Sequence, residues 1–282
     1  MQAIVMSAYR DYEQLSHLLD LYSRFFNCYV HIDKKSAFSD EEHVRKLNQI
    51  NNVTVISDYR INWGSYCHLL ALSKLLKMAY NDESNTRFHL ISDTDFPIKS
   101  HYDFERFFND NVKNYIEVTD ISNNPFMQKR YQIFHLQHIF DRKSASKLEV
   151  YTDKIIRNLQ YALKVKRNTS YKYKGLVWGS ITRDAAKACL DYLDEKRILD
   201  LKYCESAEEF WLNNALMESC LNDTVIANNL RYAVWDENHV NGPRELSIKD
   251  LSDINEFDGF FARKVIMGKD DLDMILEDRF LS

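Results

Sequence analysis

Glycine and proline are scarce in this chain, at 6 and 3 of 282 residues. That leaves no composition for long flexible linkers or low-complexity repeats. Neither G-x-G-x-x-G nor G-x-x-x-x-G-K-[ST] occurs, so the glycine-rich phosphate cradles are absent. Any phosphate bound here must then be met by Arg or Lys side chains or by a metal. The G-x-S-x-G nucleophile elbow is missing too. The five cysteines (Cys28, Cys67, Cys189, Cys204, Cys220) are scattered, odd in number and without a C-x-x-C pair. They fit free thiols in a reducing compartment better than a disulfide framework. No stretch approaches the roughly 18 apolar residues of a membrane span, and the apolar run Ala3-Ile4-Val5-Met6 starts with no leader before it. The expectation is a cytoplasmic protein. A net charge of −5 lacks the basic excess of a nucleic-acid binder, so no nucleic-acid partner is expected.

What is present is ordinary globular material, 45% hydrophobic and 28% charged, with 17 Tyr and 16 Phe. The first half alternates between two periodicities. Strand patterns fall at 2–7, 28–32, 53–56, 87–92 and 115–118, and helical spacing at 12–26, 40–49, 66–80 and 101–109. Such alternation predicts an α/β fold with a mostly parallel central sheet flanked by helices. The second half is less regular. It reads as a basic helix over 141–165, a strand at 178–182 entering a helix over 183–194, a helix over 208–219, a strand over 226–235 and a closing tail from 246. With no linker between the halves, one domain over 1–282 is expected, with a nucleotide-binding half to about 120 and an acceptor and catalytic half beyond.

Residues 88–98 read as a buried strand running into Asp93 and Asp95 and stopped by Pro97. Ligands of open α/β sheets sit just past the carboxyl ends of strands, where Asp33 also falls. Such acids can hold a cation, a ribose or a sugar hydroxyl, or simply shape a turn. Glu205, Glu208 and Glu209 open a helix, where they either complement its dipole or supply a general base. Cations gather late, at Arg244 and at Arg263-Lys264. His135 and His138 are spaced to share a metal on a helix, but no third ligand lies nearby.

Five segments, in order, resemble the core-2/I-branching β-1,6-N-acetylglucosaminyltransferase family, which also holds the peptide O-xylosyltransferases. They are Tyr29-Val30-His31-Ile32-Asp33-Lys34-Lys35-Ser36, Ile61-Asn62-Trp63-Gly64-Ser65-Tyr66, His89-Leu90-Ile91-Ser92-Asp93-Thr94-Asp95-Phe96-Pro97-Ile98-Lys99, Ala207-Glu208-Glu209-Phe210-Trp211, and Pro243-Arg244-Glu245-Leu246 with Phe261-Ala262-Arg263-Lys264. The resemblance implies a GT-A-type, Rossmann-like glycosyltransferase fold, a UDP-sugar donor and inversion at the anomeric carbon with no metal required. It makes Asp33 a contact of the uracil and Glu209 the general base. It makes Arg244 and Lys264 the cations on the diphosphate, and counts Asp95 among the donor-binding residues. Trp63 falls at a donor or acceptor contact, and Glu117, Arg130 and Trp235 on the acceptor side. The family carries a small residue, often Gly, where this chain has Asp93. Asp93-Thr94-Asp95 therefore imitates the D-x-D signature of metal-dependent relatives, which keeps Mg2+ or Mn2+ through Asp93 and Asp95 open.

The resemblance implies transfer of GlcNAc or xylose to a glycan or lipid-linked glycan hydroxyl. Eukaryotic members carry an anchor, a stem and disulfides, so the chain looks like a bacterial relative building surface polysaccharide at the inner face of the plasma membrane. The Lys/Arg-rich stretch 142–174 is a solvated helix face or a peripheral membrane contact. Two alternatives stand beside this reading: a metal-dependent nucleotidyltransferase using Asp93 and Asp95, and a non-catalytic sugar-nucleotide-binding protein.

Overall fold

The computed structural model describes residues 1–141, 143–144, 146–236 and 242–282. Its strands are β1 (Gln2–Ala8), β2 (Phe26–Ile32), β3 (Val53–Ile56), β4 (Arg87–Ser92), β5 (Asp95–Pro97), β6 (Asn114–Ile116), β7 (Thr119–Asp120), β8 (Tyr173–Lys174), β9 (Gly179–Thr182), β10 (Val225–Ala227), β11 (Arg231–Ala233) and β12 (Phe261–Arg263). The α-helices are α1 (Tyr12–Tyr22), α2 (Glu41–Leu47), α3 (Tyr66–Asn81), α4 (His101–Phe108), α5 (Pro125–Gln132), α6 (Lys147–Ala162), α7 (Arg183–Asp191), α8 (Glu195–Lys202), α9 (Trp211–Met217), α10 (Leu251–Glu256) and α11 (Leu272–Leu281).

Seven strands form the main sheet in the order β10-β6-β9-β4-β1-β2-β3, with β9 alone reversed. The α/β class with a mostly parallel sheet is as the alternation predicted. Side chains alternate across the sheet: Ile4, Met6 and Ala8 of β1 enter one core, Ala3 and Val5 the other. Both faces are covered: β1 reads as a nearly unbroken apolar run, and β4 is buried along its whole length, with Arg87, His89 and Ser92 among its buried residues. β1, β2 and β3 step outward one way and β4 lies on the other side of β1, so the switch point falls between β1 and β4.

Several boundaries differ from the sequence reading. The helix expected to Phe26 ends at Tyr22, because Phe26 already pairs with Gln2 as the first residue of β2. Pro97 does not stop the strand: β4 ends at Ser92, and Asp95–Pro97 is a separate strand pairing antiparallel with β12. The 226–235 strand is two short strands in different sheets, β10 beside β6 and β11 beside β12. The 208–219 helix opens with a 3-10 turn over Ala207–Phe210. The basic helix runs Lys147–Ala162, begun by a Ser146–Glu149 capping box. Positions 142 and 145 of the expected helix lie outside the described residues. The β5, α5 and α8 elements had no counterpart in the sequence reading.

The two sheets are joined by Arg231, fully buried at the start of β11. Its guanidinium donates to Leu90 O (3.1 Å), Gly179 O (2.7 Å) and Ser180 Oγ (3.1 Å), and lies 4.8 Å over the Phe261 ring. Burial pulls its pKa down to about 9. Replacing Arg231 with Met strands these acceptors. The expected result is a loss of roughly 2 kcal/mol of unfolding free energy in urea titration, and an unchanged midpoint would contradict the role given to it.

Candidate functional site

The site begins where β1 and β4 end. Asp93 Oδ2 accepts from the backbone N–H of Tyr9 (2.7 Å) and Arg10 (2.9 Å), tying the two strand ends together. Its Oδ1 is buried without a partner, and burial raises its pKa. Asp95 is wholly buried. Arg263 is its register partner across β5 and β12, and donates to Asp95 Oδ2 (3.1 Å) and Ser92 Oγ (3.0 Å). Asp95 Oδ2 also accepts from Ser92 N (2.7 Å).

One strand over, Asp33 Oδ1 accepts from Lys35 N (3.0 Å) and Ile61 N (3.1 Å). That clasp fixes the loop carrying Asn62, Trp63 and Gly64. Trp63 N donates to Asp141 Oδ1 (3.2 Å), and Lys35 Nζ reaches Asp141 Oδ2 (2.5 Å). A cavity of about 330 Å³ opens beside this loop, lined by Lys35, Arg60, Asn62, His138, Asp141 and Glu149. A larger groove of about 1520 Å³ lies at the amino ends of β1 and β4, lined by Gln2 and Arg87 among others, and touches none of the candidate residues.

The Trp63 loop also meets the acid cluster. Gly64 is at φ +73°, its carbonyl accepts from Ser206 N (2.8 Å), and a side chain there would crowd Ser206 Oγ. From Ser206 the 3-10 turn presents Glu208 and Glu209 in different surroundings. Glu208 Oε1 lies 3.3 Å from His68 Nδ1, and its Oε2 is buried without a partner. Glu209 Oε2 accepts from Arg130 (2.8 Å) on α5 and Lys174 (2.8 Å) on β8, and among the described residues Oε1 makes no hydrogen bond. Glu117 adjoins this group. Burial raises its pKa, with Glu209 acting the same way and Lys174 opposing. A cation–π contact and a tilted ring pair connect the acids to the strand ends: Arg263 lies 4.5 Å over Trp178, whose ring is 6.0 Å from His68 at 60°.

Of the two late cations, Lys264 and Arg244 are differently placed. Lys264 is half-buried and makes no ion pair among the described residues. Burial, then Arg263, Arg10 and Lys143, lower its pKa, with Glu245 opposing. Lys143 lies 5.7 Å over the Tyr9 ring, and burial lowers its pKa also. Arg10, Lys143, Arg263 and Lys264 thus crowd the ends of β1 and β4 with more positive than negative charge. Arg244 is instead forked onto Asp250, donating to both carboxylate oxygens, one at 2.9 Å. Its segment still reaches the cluster, since Leu246 N donates to Lys264 O (2.7 Å) and Glu245 pairs with Arg10 (3.2 Å). Trp235 is exposed, beside the Val234 carbonyl that accepts from Arg244 N (2.9 Å).

The structure therefore brings Glu117, Arg130 and Glu209 into one group, and Asp93, Asp95 and Lys264 into another. Asp33 and Trp63 lie along the adjoining loop. The sequence reading missed Arg10, Lys143, Lys174, His68 and Trp178. The absent glycine cradle was the one signal for Arg10 and Lys143, because it demands side-chain cations beside the first strand; nothing in the spacing marked Lys174, His68 or Trp178.

Among the described residues, no group of three or more His, Cys, Asp or Glu side chains is placed to hold a metal, and no helix is long and apolar enough to cross a membrane. A family model described as Core-2/I-Branching enzyme matches residues 3–256. No curated protein matches the chain. Among solved structures, a putative glucose-1-phosphate thymidylyltransferase from Bacillus anthracis in complex with sucrose is similar at 9% identity, covering 80% of this chain and 85% of that one, with a TM-score of 0.35.

Lys264 carries its charge only below its lowered pKa. Calorimetric titration with a diphosphate anion should therefore show affinity falling as pH rises into the range where an ordinary lysine is still charged. In Lys264→Arg the fall should move to higher pH, and in Lys264→Met affinity at neutral pH should drop about tenfold. A pH profile identical in all three would remove Lys264 from the anion site.

Proposed function

Because the chain belongs to the Core-2/I-Branching enzyme family and is a glycosyltransferase, we propose that it moves a sugar, GlcNAc or xylose, from a UDP donor to a glycan or lipid-linked glycan hydroxyl with inversion. The observation carrying this reading is the state of Glu209. Its Oε2 is held by Arg130 and Lys174, which fixes the carboxylate's direction and leaves Oε1 to accept a proton. The acceptor hydroxyl gives that proton to Glu209 as its oxygen bonds to the anomeric carbon. The bond from that carbon to the diphosphate breaks, and its electron pair leaves with UDP.

Charge then grows on the departing diphosphate. Lys264, Arg10 and Lys143 meet it, while Arg263, already paired with Asp95, stands behind them. Arg244 acts through its segment, held by Asp250, rather than as a free fork. Asp33 and the Trp63 loop border the uridine, and Glu117 and Trp235 the acceptor. Surface polysaccharide synthesis at the inner face of a bacterial membrane is the setting we infer.

Transfer proceeds on this reading without Mg2+ or Mn2+. Asp93 Oδ2 is occupied by two backbone donors and Asp95 Oδ2 by Arg263 and Ser92, so the D-x-D pair offers only one unshared oxygen per residue. A divalent ion bound there would also face the Arg263 guanidinium.

Glu209→Gln should reduce UDP release in the presence of acceptor about a thousandfold while UDP binding persists. Undiminished turnover would exclude Glu209 as base. Saturating EDTA should leave turnover intact, and a loss restored by Mn2+ would return Asp93 and Asp95 to a metal.

A further inference from the structure

The helix α6 stands out from the rest of the chain by what it leaves uncovered. In its span Gln160 is the one buried residue among those described. The Gln160 amide holds the helix to Phe134, accepting from its N–H (2.8 Å) and donating to its carbonyl (2.9 Å). The attachment is polar at Gln160, with Ile156 half-buried one turn before it, and a row of five other apolar residues faces elsewhere. Leu148, Tyr151, Ile155 and Leu159 are 74, 63, 49 and 55% exposed, and Leu163, just past the helix end, is 67% exposed. At 100° per residue they fall within an arc of about 120°. The stripe runs the whole length of the helix, about 24 Å.

Charge accompanies it. Residues 142–174 carry ten Lys or Arg against two acids in a chain of net charge −5. Lys147, Lys154, Lys164 and Lys166 are exposed along the helix and just beyond it. Both acids are engaged: Glu149 accepts from Ser146 N (2.6 Å) and Asp153 pairs with Arg157 (3.1 Å). A lone convex helix with an apolar stripe and flanking lysines matches a flat anionic lipid surface. A protein partner would need a concave acidic groove of the same length.

We infer that α6 docks the protein on an anionic bilayer, with Leu148, Tyr151, Ile155, Leu159 and Leu163 in the interface and the lysines at the headgroups. Phe134, which holds α6, lies two residues after α5, whose Arg130 holds Glu209. Docking therefore fixes the Glu209 side of the molecule relative to the lipid. The consequence that a lipid-borne acceptor meets Glu209 rests on the transferase reading; the docking does not.

Flotation with vesicles of phosphatidylcholine, with and without phosphatidylglycerol, tests it. The protein should float with the anionic vesicles only, less so as salt is raised. The double variant Ile155→Glu, Leu159→Glu should lower the bound fraction about tenfold or more while keeping its melting temperature, its stabilisation by UDP and its turnover on a soluble acceptor. Wild-type protein that fails to float with anionic vesicles overturns the inference, as does a folded variant that floats equally well. Light scattering that shows a dimer dissociated by the same variant would assign the face to a second copy instead. Loss of turnover in Glu209→Gln with flotation intact separates the failure of one reading from that of the other.

Discussion

A buried carboxylate carries much of this architecture. Asp93 spends one oxygen on the backbone donors of Tyr9 and Arg10, so the end of β4 is stitched to the turn leaving β1. Its energetics pull two ways. Two N–H donors stabilise the anion, but burial opposes it more, and the pKa is raised. A group whose folded pKa lies above its unfolded one favours folding most at low pH, and that contribution fades as pH rises through the folded value. Asp93 thus weakens the fold at neutral pH in exchange for a fixed direction of the Tyr9–Arg10 turn. Destabilised polar groups of this kind gather where function requires them.

The same trade appears in the cations. Burial first, then Arg263, Arg10 and Lys143, depresses the pKa of half-buried Lys264, and burial, then Arg10 and Lys35, depresses that of Lys143 against the opposing pull of Asp141. The nearest acids are committed elsewhere: Asp95 to Arg263, Asp250 to Arg244, and Glu245 shared between Arg10 and Lys269. An anionic ligand relieves this repulsion as it binds. Across the site, the acids at Glu209 and Glu117 have the opposite problem, and Arg130 and Lys174 answer it. A balanced acid cluster at one end and a crowd of cations at the other, joined by Arg263, Trp178 and His68, suit a reaction that moves a proton at one side and builds negative charge on the other.

Much of the sheet was legible because its signal is local. Strands at 53–56 and 87–92 were read to the residue, the first from its alternation of buried Val53 and Val55 with half-buried Thr54 and Ile56, the second from the apolar Phe88, Leu90 and Ile91 at its centre. The 95–97 strand was invisible because its partner, β12, lies far along the chain and nothing local marks a three-residue pairing. Residues 226–235 misled for the same reason: one β-rich run serves two sheets. At the site, the acids were legible from their places at strand and helix ends. The tie of Arg244 to Asp250 was not, because it depends on a loop conformation that spacing does not encode. Lys143 and Lys174 were hidden in a basic stretch whose average character says surface.

The pairing of β12 with β5 sets when this protein can become competent. Arg263 meets Asp95 across 168 positions of sequence, and Gln14 donates to the Val265 carbonyl across 251. Contacts of such span form late, because a long loop must close before either partner is rewarded. A ribosome that has released the first two hundred residues has released every parallel strand of the main sheet but β10, together with Asp93 and Asp95, yet Asp95 still has no counter-ion. A chain without the β12 segment would keep most of its main sheet and lose the ion pair that holds Asp95.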